Sequence, residues 1–239
     1  LYGALASWGD IAVGEHRPSL GHPTKSAISG LLAAALGIDR SDDEKHLQLA
    51  QQYGVAVCVR ASGELLRDYH TVQVPGGKRG YATRRDELMF DKLNLNTILS
   101  QRDYRCDALY QIAVWCHDKN PPHALETLRE KLLAPYFTLY LGRKSCPVSL
   151  PLFPVVMSDT TLRQAFDSYS LDKAKTWTDF LTRDDLVSYY WESGLSNDEL
   201  GDLKASMVYP RRDQVSSRRR WQFANRDEFY YASSNEGAI

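Results

Sequence analysis

The sequence predicts an α+β fold that opens in a ferredoxin-like or RRM-like order, with a charged insertion and a smaller β-rich C-terminal part. Three observations carry this. Helical periodicity is confined to a few short stretches, with Ser26–Ile38 the clearest. Two β-branched runs, Tyr53–Arg60 and Ala108–Cys116, read as strands. Between those runs lies a stretch poor in apolar residues and too long for an ordinary connection.

Each element follows in order. Residues 1–9 (LYGALASWG) start apolar and finish in small residues, as the end of a strand running into a loop. In Ser26–Ile38, Ile28, Leu31, Leu32, Ala35 and Leu36 share one helix face, and Gly37 is placed to stop the helix. A second short helix is expected over 43–53, and the strand YGVAVCVR follows. From Ser62 to Tyr104, Pro75, Gly76, Gly77 and Gly80 lie among many charges, so a protruding hairpin is expected over about 62–104. The strand ALYQIAVWC and the amphipathic helix HALETLREKLLA, stopped by Pro135, come next. Strand, helix, strand, then strand and helix is the opening of a ferredoxin-like sandwich, provided its first strand lies mostly ahead of Leu1. These features divide the chain into residues 1–146, carrying the insertion, and a β-rich part over 147–239 that ends in the strand-like FYYAS.

Composition narrows the function classes. With 43% hydrophobic and 25% charged residues, the chain has the make-up of a globular protein able to bury a core. The net charge of −1 lacks the basic excess usual in a nucleic-acid binder. That average conceals segregation. Residues 60–105 carry nine Lys/Arg against six Asp/Glu, 158–203 carry four against ten, and 211–220 return to +4. Such segregation suits a molecule with one face toward a polyanion, and a mixed solvated surface explains the same counts. Cys58, Cys106, Cys116 and Cys146 form no CxxC pair and have no histidine at zinc-finger spacing, so buried free thiols are expected and no metal or cofactor. No run approaches 18 apolar residues and no leader is legible, so a cytoplasmic protein away from membranes is expected.

Several constellations could carry chemistry. Pro23-Thr24-Lys25-Ser26 opens the first helix, where free N–H groups and the helix dipole favour a phosphate assisted by Lys25 and Ser26. Plain capping by Thr24 explains the same residues. A nucleotide-binding P-loop is excluded, because it needs glycine at the positions of Ser19 and Thr24. In Tyr140-Leu141-Gly142-Arg143-Lys144-Ser145, two cations and a hydroxyl follow a glycine, as in a loop that approaches a backbone and touches phosphates. A solvated surface turn is the simpler alternative. Arg79-Gly80-Tyr81-Ala82 starts like an RNA-binding RNP1 strand, then fails at Thr83 and Arg84. Tyr69 and His70 could stack on or bond to bases, or, with Lys78, support metal-independent RNA cleavage. No second histidine stands near His70 to complete an acid–base pair, which favours binding.

Taken together, ASWG (6–9), PTKSAISGLLAAALGI (23–38), LRDYHTV (66–72), YLGRKSCPVSLPLF (140–153) and RRRWQFANRDEFYY near the C-terminus resemble the CasD-type subunits of type I-E CRISPR Cascade. Order and spacing agree over almost the whole chain. The resemblance implies a RAMP domain, meaning a ferredoxin-like, RRM-related fold with a thumb hairpin. It also implies a non-catalytic role, gripping the 5′ handle of the CRISPR RNA and capping the complex. The implied partners are that RNA, the backbone subunit that coats the guide and the large subunit that reads the PAM, with target DNA met only through the assembly. Related type I-C proteins are endoribonucleases, so a metal-independent nuclease stays open as an alternative, as does a protein-only adaptor. On this reading the RNA-binding residues are Ser7, Trp8, Lys25, Ser26, Tyr69, His70, Arg102, Arg143, Lys144 and Ser145, with Arg102 matching the family's thumb arginine. The family's first strand falls mostly before Leu1, and 158–203 align poorly.

Overall fold

The computed structural model describes residues 1–76, 80–90, 95–169, 181 and 184–234. In chain order its elements are β1 (Leu5–Ala6), β2 (His16–Arg17), α1 (Lys25–Leu36), α2 (Asp43–Gln52), β3 (Tyr53–Ala61), β4 (Glu64–Pro75), α3 (Arg84–Phe90), β5 (Leu95–Cys106), β6 (Leu109–Cys116), α4 (Leu125–Leu133), α5 (Leu162–Ser168), β7 (Leu186–Glu192), α6 (Asn197–Leu200), β8 (Met207–Ser217) and β9 (Gln222–Ser234). The fold is mixed α/β, with two sheets and helices packed against them.

The larger sheet has the order β6-β3-β7-β9-β8, antiparallel throughout. Tyr2 bridges Leu109 in the antiparallel sense, so the N-terminus runs along the outer edge of β6. The contiguous apolar character of YGVAVCVR has a physical cause: β3 is interior to the sheet and covered on both faces. Val55 packs with Ile28, Leu32, Leu49 and Leu128 beneath α1, α2 and α4. Ala56 and Cys58, one step along and so on the other face, pack with Phe166, Tyr189 and Trp191. Cys58 is fully buried, and that desolvation pushes its thiol up to about 12, so it stays protonated and inert. All four cysteines are free.

Helix α1 ends as its sequence predicts. The Thr24 side chain accepts from the Ala27 N–H at the start. At the finish Gly37, at φ 76°, donates its N–H to the carbonyls of Ala33 and Ala34.

The smaller sheet is built on β5. Strand β4 pairs along it from Glu64–Cys106 to Pro75–Leu95, while β1 (antiparallel) and β2 (parallel) share its other edge. Much of the charged stretch from 62 to 104 therefore forms a long two-stranded ladder, closed at its base by Gly63. Gly63 has φ 62°, and a Cβ there would lie 2.1 Å from the Cys106 carbonyl oxygen. Residues 80–82 lie outside any strand, just before α3, so the RNP1-like run has no RNP1 geometry; Arg79 is outside the described residues. Among the described residues no helix is long and apolar enough to cross a membrane.

Candidate nucleic-acid interface

The α1 N-terminus was the first expected anion site, and the protein fills it with its own carboxylates. The Lys25 N–H donates to Asp213 Oδ2 at 2.7 Å, and Lys25 Nζ donates to Glu192 Oε2 at 2.5 Å. The other Glu192 oxygen accepts from the Val55 N–H at 2.7 Å. Arg226 binds Asp213 at 2.6 and 2.9 Å and reaches Glu228 at 2.9 Å. Glu228 also takes Arg211 at 2.7 Å and His22 at 3.1 Å, and the His22 ring stacks on Tyr190 at 3.7 Å. Lys25 is 3% exposed, so the phosphate role expected of it is replaced by an internal salt-bridge network. Ser26 is half-buried, with its hydroxyl 3.1 Å from that of Thr24.

Ser7 and Trp8 are also interior. Trp8 is 1% exposed and meets Tyr110 edge-to-face at 5.7 Å. The Ser7 hydroxyl donates to the Asp103 carbonyl at 3.2 Å. No solvent-borne strand reaches either side chain in this conformation, and both support the loop that lies above them.

That loop is 140–145. The Ser7 N–H donates to the Leu141 carbonyl at 3.0 Å, the Leu141 N–H to Cys146 at 2.7 Å and the Cys146 N–H to Arg143 at 2.9 Å. Leu141 and Cys146 are fully buried, so the loop is clamped at both ends. Gly142 is required between them: its φ is 84°, and a Cβ would stand 1.8 Å from the Ser7 carbonyl oxygen. Lys144 and Ser145 are held outward, exposed. The Arg143 guanidinium lies over the Tyr104 ring at 4.8 Å and donates to the Arg17 carbonyl at 3.4 Å.

The loop thereby touches the smaller sheet. Arg17 is opposite Arg102 across the parallel pair, and Arg102 is opposite Asp68 across the hairpin. Residues directly opposite share a face. One face of the hairpin thus carries Asp68, His70, Arg102 and Arg17, with Tyr104 at its base. The other carries Arg67, Tyr69 and Asp103, with His16 beside them. On that second face buried Asp103 binds Arg67 at 2.8 and 3.1 Å and His16 at 3.0 Å. The Arg67 hydrogen bond, aided by His16 and opposed by burial, holds the Asp103 carboxyl below the usual range.

Arg102 and His70 therefore share the face that Arg143 reaches through Tyr104 and the Arg17 carbonyl, Lys144 and Ser145 are exposed on the neighbouring loop, and Tyr69, 57% exposed, projects from the opposite face. Neighbouring strand residues alternate, so Tyr69 and His70 cannot converge on one scissile bond. His70 Nε2 lies instead 2.6 Å from Asp68 Oδ2. Lys78, the third member of that catalytic alternative, is outside the described residues.

Comparison with known proteins fits this architecture. The model of a CRISPR-associated protein family, Cas5, matches residues 1–227. The chain belongs to the Cas5 family. A curated relative, the CRISPR system Cascade subunit CasD of Escherichia coli (strain K12), is 35% identical over 164 residues, spanning 64% of this chain and 67% of the relative. Among solved structures, a chain of a CRISPR RNA-guided surveillance complex superposes with a TM-score of 0.64 at 24% identity, covering 97% of this chain and 87% of its own. A crystal structure of a Cas protein gives 0.61 at 26% identity, covering 98% and 91%.

Within this Cas5 chain, sequence reasoning missed His16, Arg17, Arg67 and Arg105. Arg105 follows Tyr104 on β5, and its Nε is buried without a hydrogen-bond partner, as is Arg143 Nη1. Arg17 is brought in by two residues of β2 pairing with β5, too short a strand to leave a period in the sequence. Among the described residues, Arg17, Arg102, Arg143 and Lys144 make no ion pair. Arg17, Arg102 and Arg143 thus lie on one side of the hairpin beside the loop that exposes Lys144, and Asp68 on the same face is held by His70.

Proposed function

We propose that this chain is a non-catalytic RNA-binding subunit of a type I-E-like CRISPR Cascade complex, working in the cytoplasm and gripping the 5′ handle of the guide RNA. The carrying observation is that Arg17 and Arg102 share one hairpin face which Arg143 of the clamped 140–145 loop reaches, that the loop also exposes Lys144, and that none of the four makes an ion pair among the described residues. Family membership and the Cascade name of the curated relative support the same reading. Arginine forks match phosphate oxygens, and the Lys144 and Ser145 donors add positioning without reading sequence. His70, which shares that face, is the residue that meets a base on this reading. The tip-ward part of the β4–β5 ladder serves as the thumb. Residues 1–146 act as the ferredoxin-like RAMP unit, in which the N-terminus, β6 and β3 hold the places of its first, third and second strands. Residues 147–239 are the C-terminal part that continues the same sheet. The backbone and PAM-reading subunits are the protein partners, and DNA is met only through the assembly.

The test is a salt titration of handle-RNA binding by the chain and its Arg143→Ala/Lys144→Ala variant. Each phosphate contact on a single strand contributes about 0.7 to the slope of log affinity against log salt. The variant is expected to bind more weakly and to lose about 1.4 from that slope. A folded variant with an unchanged slope removes the loop from the interface.

A further inference from the structure

A second cationic surface lies at the turn between β8 and β9, and nothing in the handle reading uses it. Arg218, Arg219 and Arg220 are consecutive in this turn, and Trp221 closes it with its N–H donating to the Arg218 carbonyl at 3.3 Å. The turn is pinned to α2. Asp43 accepts from the Ser217 hydroxyl at 2.7 Å and the Arg219 N–H at 2.8 Å, and the Arg220 N–H donates to the Ser217 hydroxyl at 3.1 Å. These bonds hold the Asp43 carboxyl below its ordinary range, the Arg219 N–H contributing most.

Arg40, from the segment after α1, joins the turn. Its guanidinium lies 4.4 Å from the centre of the Trp221 ring, and that of Arg218 lies 4.3 Å away. Two like charges are thus held on one indole, which is itself 53% exposed. Arg40, Arg219 and Arg220 are exposed. The nearest carboxylates in sequence are otherwise engaged: Asp39 with Ser41, Asp42 with Lys45 and Asp43 with the turn. Among the described residues none of the four arginines makes an ion pair, and Arg218 Nε is buried with no hydrogen-bond partner. Burial, reinforced by Arg40, pushes the Arg218 guanidinium down from its ordinary range. A cluster of like charges with an unsatisfied donor is relieved by an anion.

The patch borders α1 and the segment that leads into the 140–145 loop. Arg218 Nη2 lies 3.7 Å from where a Cβ on Gly30 of α1 would stand. Tyr136 and Phe137, exposed and edge-to-face at 4.8 Å, lie at the C-terminal end of α1, where their N–H groups bond the carbonyls of Ala35 and Ala34. Arginines interleaved with exposed aromatics are the make-up of a single-strand track, with guanidinium forks for phosphates and rings for bases.

We propose that Arg40, Arg218, Arg219, Arg220 and Trp221 form a second binding surface for single-stranded nucleic acid, carrying on a strand that leaves the 140–145 loop. Trp221 and Asp43 act as its frame, and the arginines supply the phosphate contacts. The proposal deepens the handle reading, since the same strand serves both surfaces, but its residues are separate.

The test uses the whole chain with three probes: a 20-nucleotide oligo-U, the equivalent oligo-dT, and poly-glutamate as a mimic of an acidic protein partner. The variant is Arg40→Ala/Arg219→Ala/Arg220→Ala, all exposed positions, with folding checked by a thermal melt. Three lost contacts are expected to lower the salt slope for the oligonucleotides by about 2. A fourfold rise in salt then costs the variant about 18-fold less affinity than it costs the parent chain. Comparing oligo-U with oligo-dT tells whether RNA or DNA is the preferred strand. Arg143→Ala/Lys144→Ala is run alongside. If that pair shifts the slope and the triple variant does not, this proposal is overturned and the handle loop stands. If the triple variant alone shifts it, this surface stands and the loop falls. Loss of poly-glutamate binding with both oligonucleotides unaffected overturns the proposal in favour of an acidic protein partner.

Discussion

Replacing Glu228 with glutamine tests the buried network that closes the α1 N-terminus. Glu228 is 2% exposed. Burial by itself pushes its carboxyl up, yet the His22 hydrogen bond and charge, Arg226 and Arg211 outweigh burial and hold it down at about 2, against 4.5 for the free group. A depressed carboxyl stabilises the folded state above the unfolded pKa, and that contribution fades as pH falls from 4.5 through about 2. At about 1.4 kcal/mol per pKa unit, the contribution at neutral pH is on the order of 3 kcal/mol. Glu228→Gln keeps the shape and removes the charge, leaving Arg211 without its carboxylate and Arg226 with Asp213 alone. The variant is expected to be less stable than the parent by about 3 kcal/mol at pH 7, within the range seen when a buried ion pair loses one partner. Urea unfolding followed by tryptophan fluorescence at pH 7, 5, 4 and 3 reads both the gap and its pH dependence. The gap should hold between pH 7 and 5 and narrow steadily below. A gap under about 1 kcal/mol at pH 7, or one that does not narrow in acid, refutes the reasoning.

Two further outcomes follow from the same geometry. In molar excess, with or without EDTA, the chain is expected to leave repeat RNA intact, because Tyr69 and His70 face opposite ways; specific cleavage that disappears in His70→Ala contradicts the non-catalytic reading. Gly142→Ala is expected to lower stability by about 1–3 kcal/mol in chemical denaturation and to weaken handle binding, since it places a Cβ against the Ser7 carbonyl at positive φ; a variant as stable as the parent places the loop otherwise.

Local patterns in the sequence proved readable and long-range pairings did not. Helix α1 announced itself through a 3.6-residue period with Thr24 and Gly37 at its ends, and both caps make the bonds expected of them. Strand β3 was legible from its β-branched run, whereas its burial on both faces was not read from it and follows from the elements packed on either side. The site was another matter. Gly142 with Arg143 and Lys144 is a contiguous signal, but the Arg17 that completes it comes from 126 residues earlier. The same limit explains Lys25. A lysine after a helix cap invites an anion, and sequence cannot say which one arrives.

Here the answer depends on strand order. Because β9 lies between β7 and β8, three carboxylates on the three strands, Glu192, Asp213 and Glu228, are delivered to one helix start from 167 to 206 residues away. Arg226, placed on the middle strand, bridges the last two. A helix terminus filled from within loses its appeal to phosphate, and it gains a structural duty, fastening the C-terminal strands to α1 and to β3. The cations around the 140–145 loop and at the β8–β9 turn are among those that make no ion pair within the described residues, as are Arg85, Arg129 and Arg212 elsewhere on the surface. The carboxylates gather where the sheet needs them, and the two proposed polyanion surfaces draw on arginines that this internal network leaves outside.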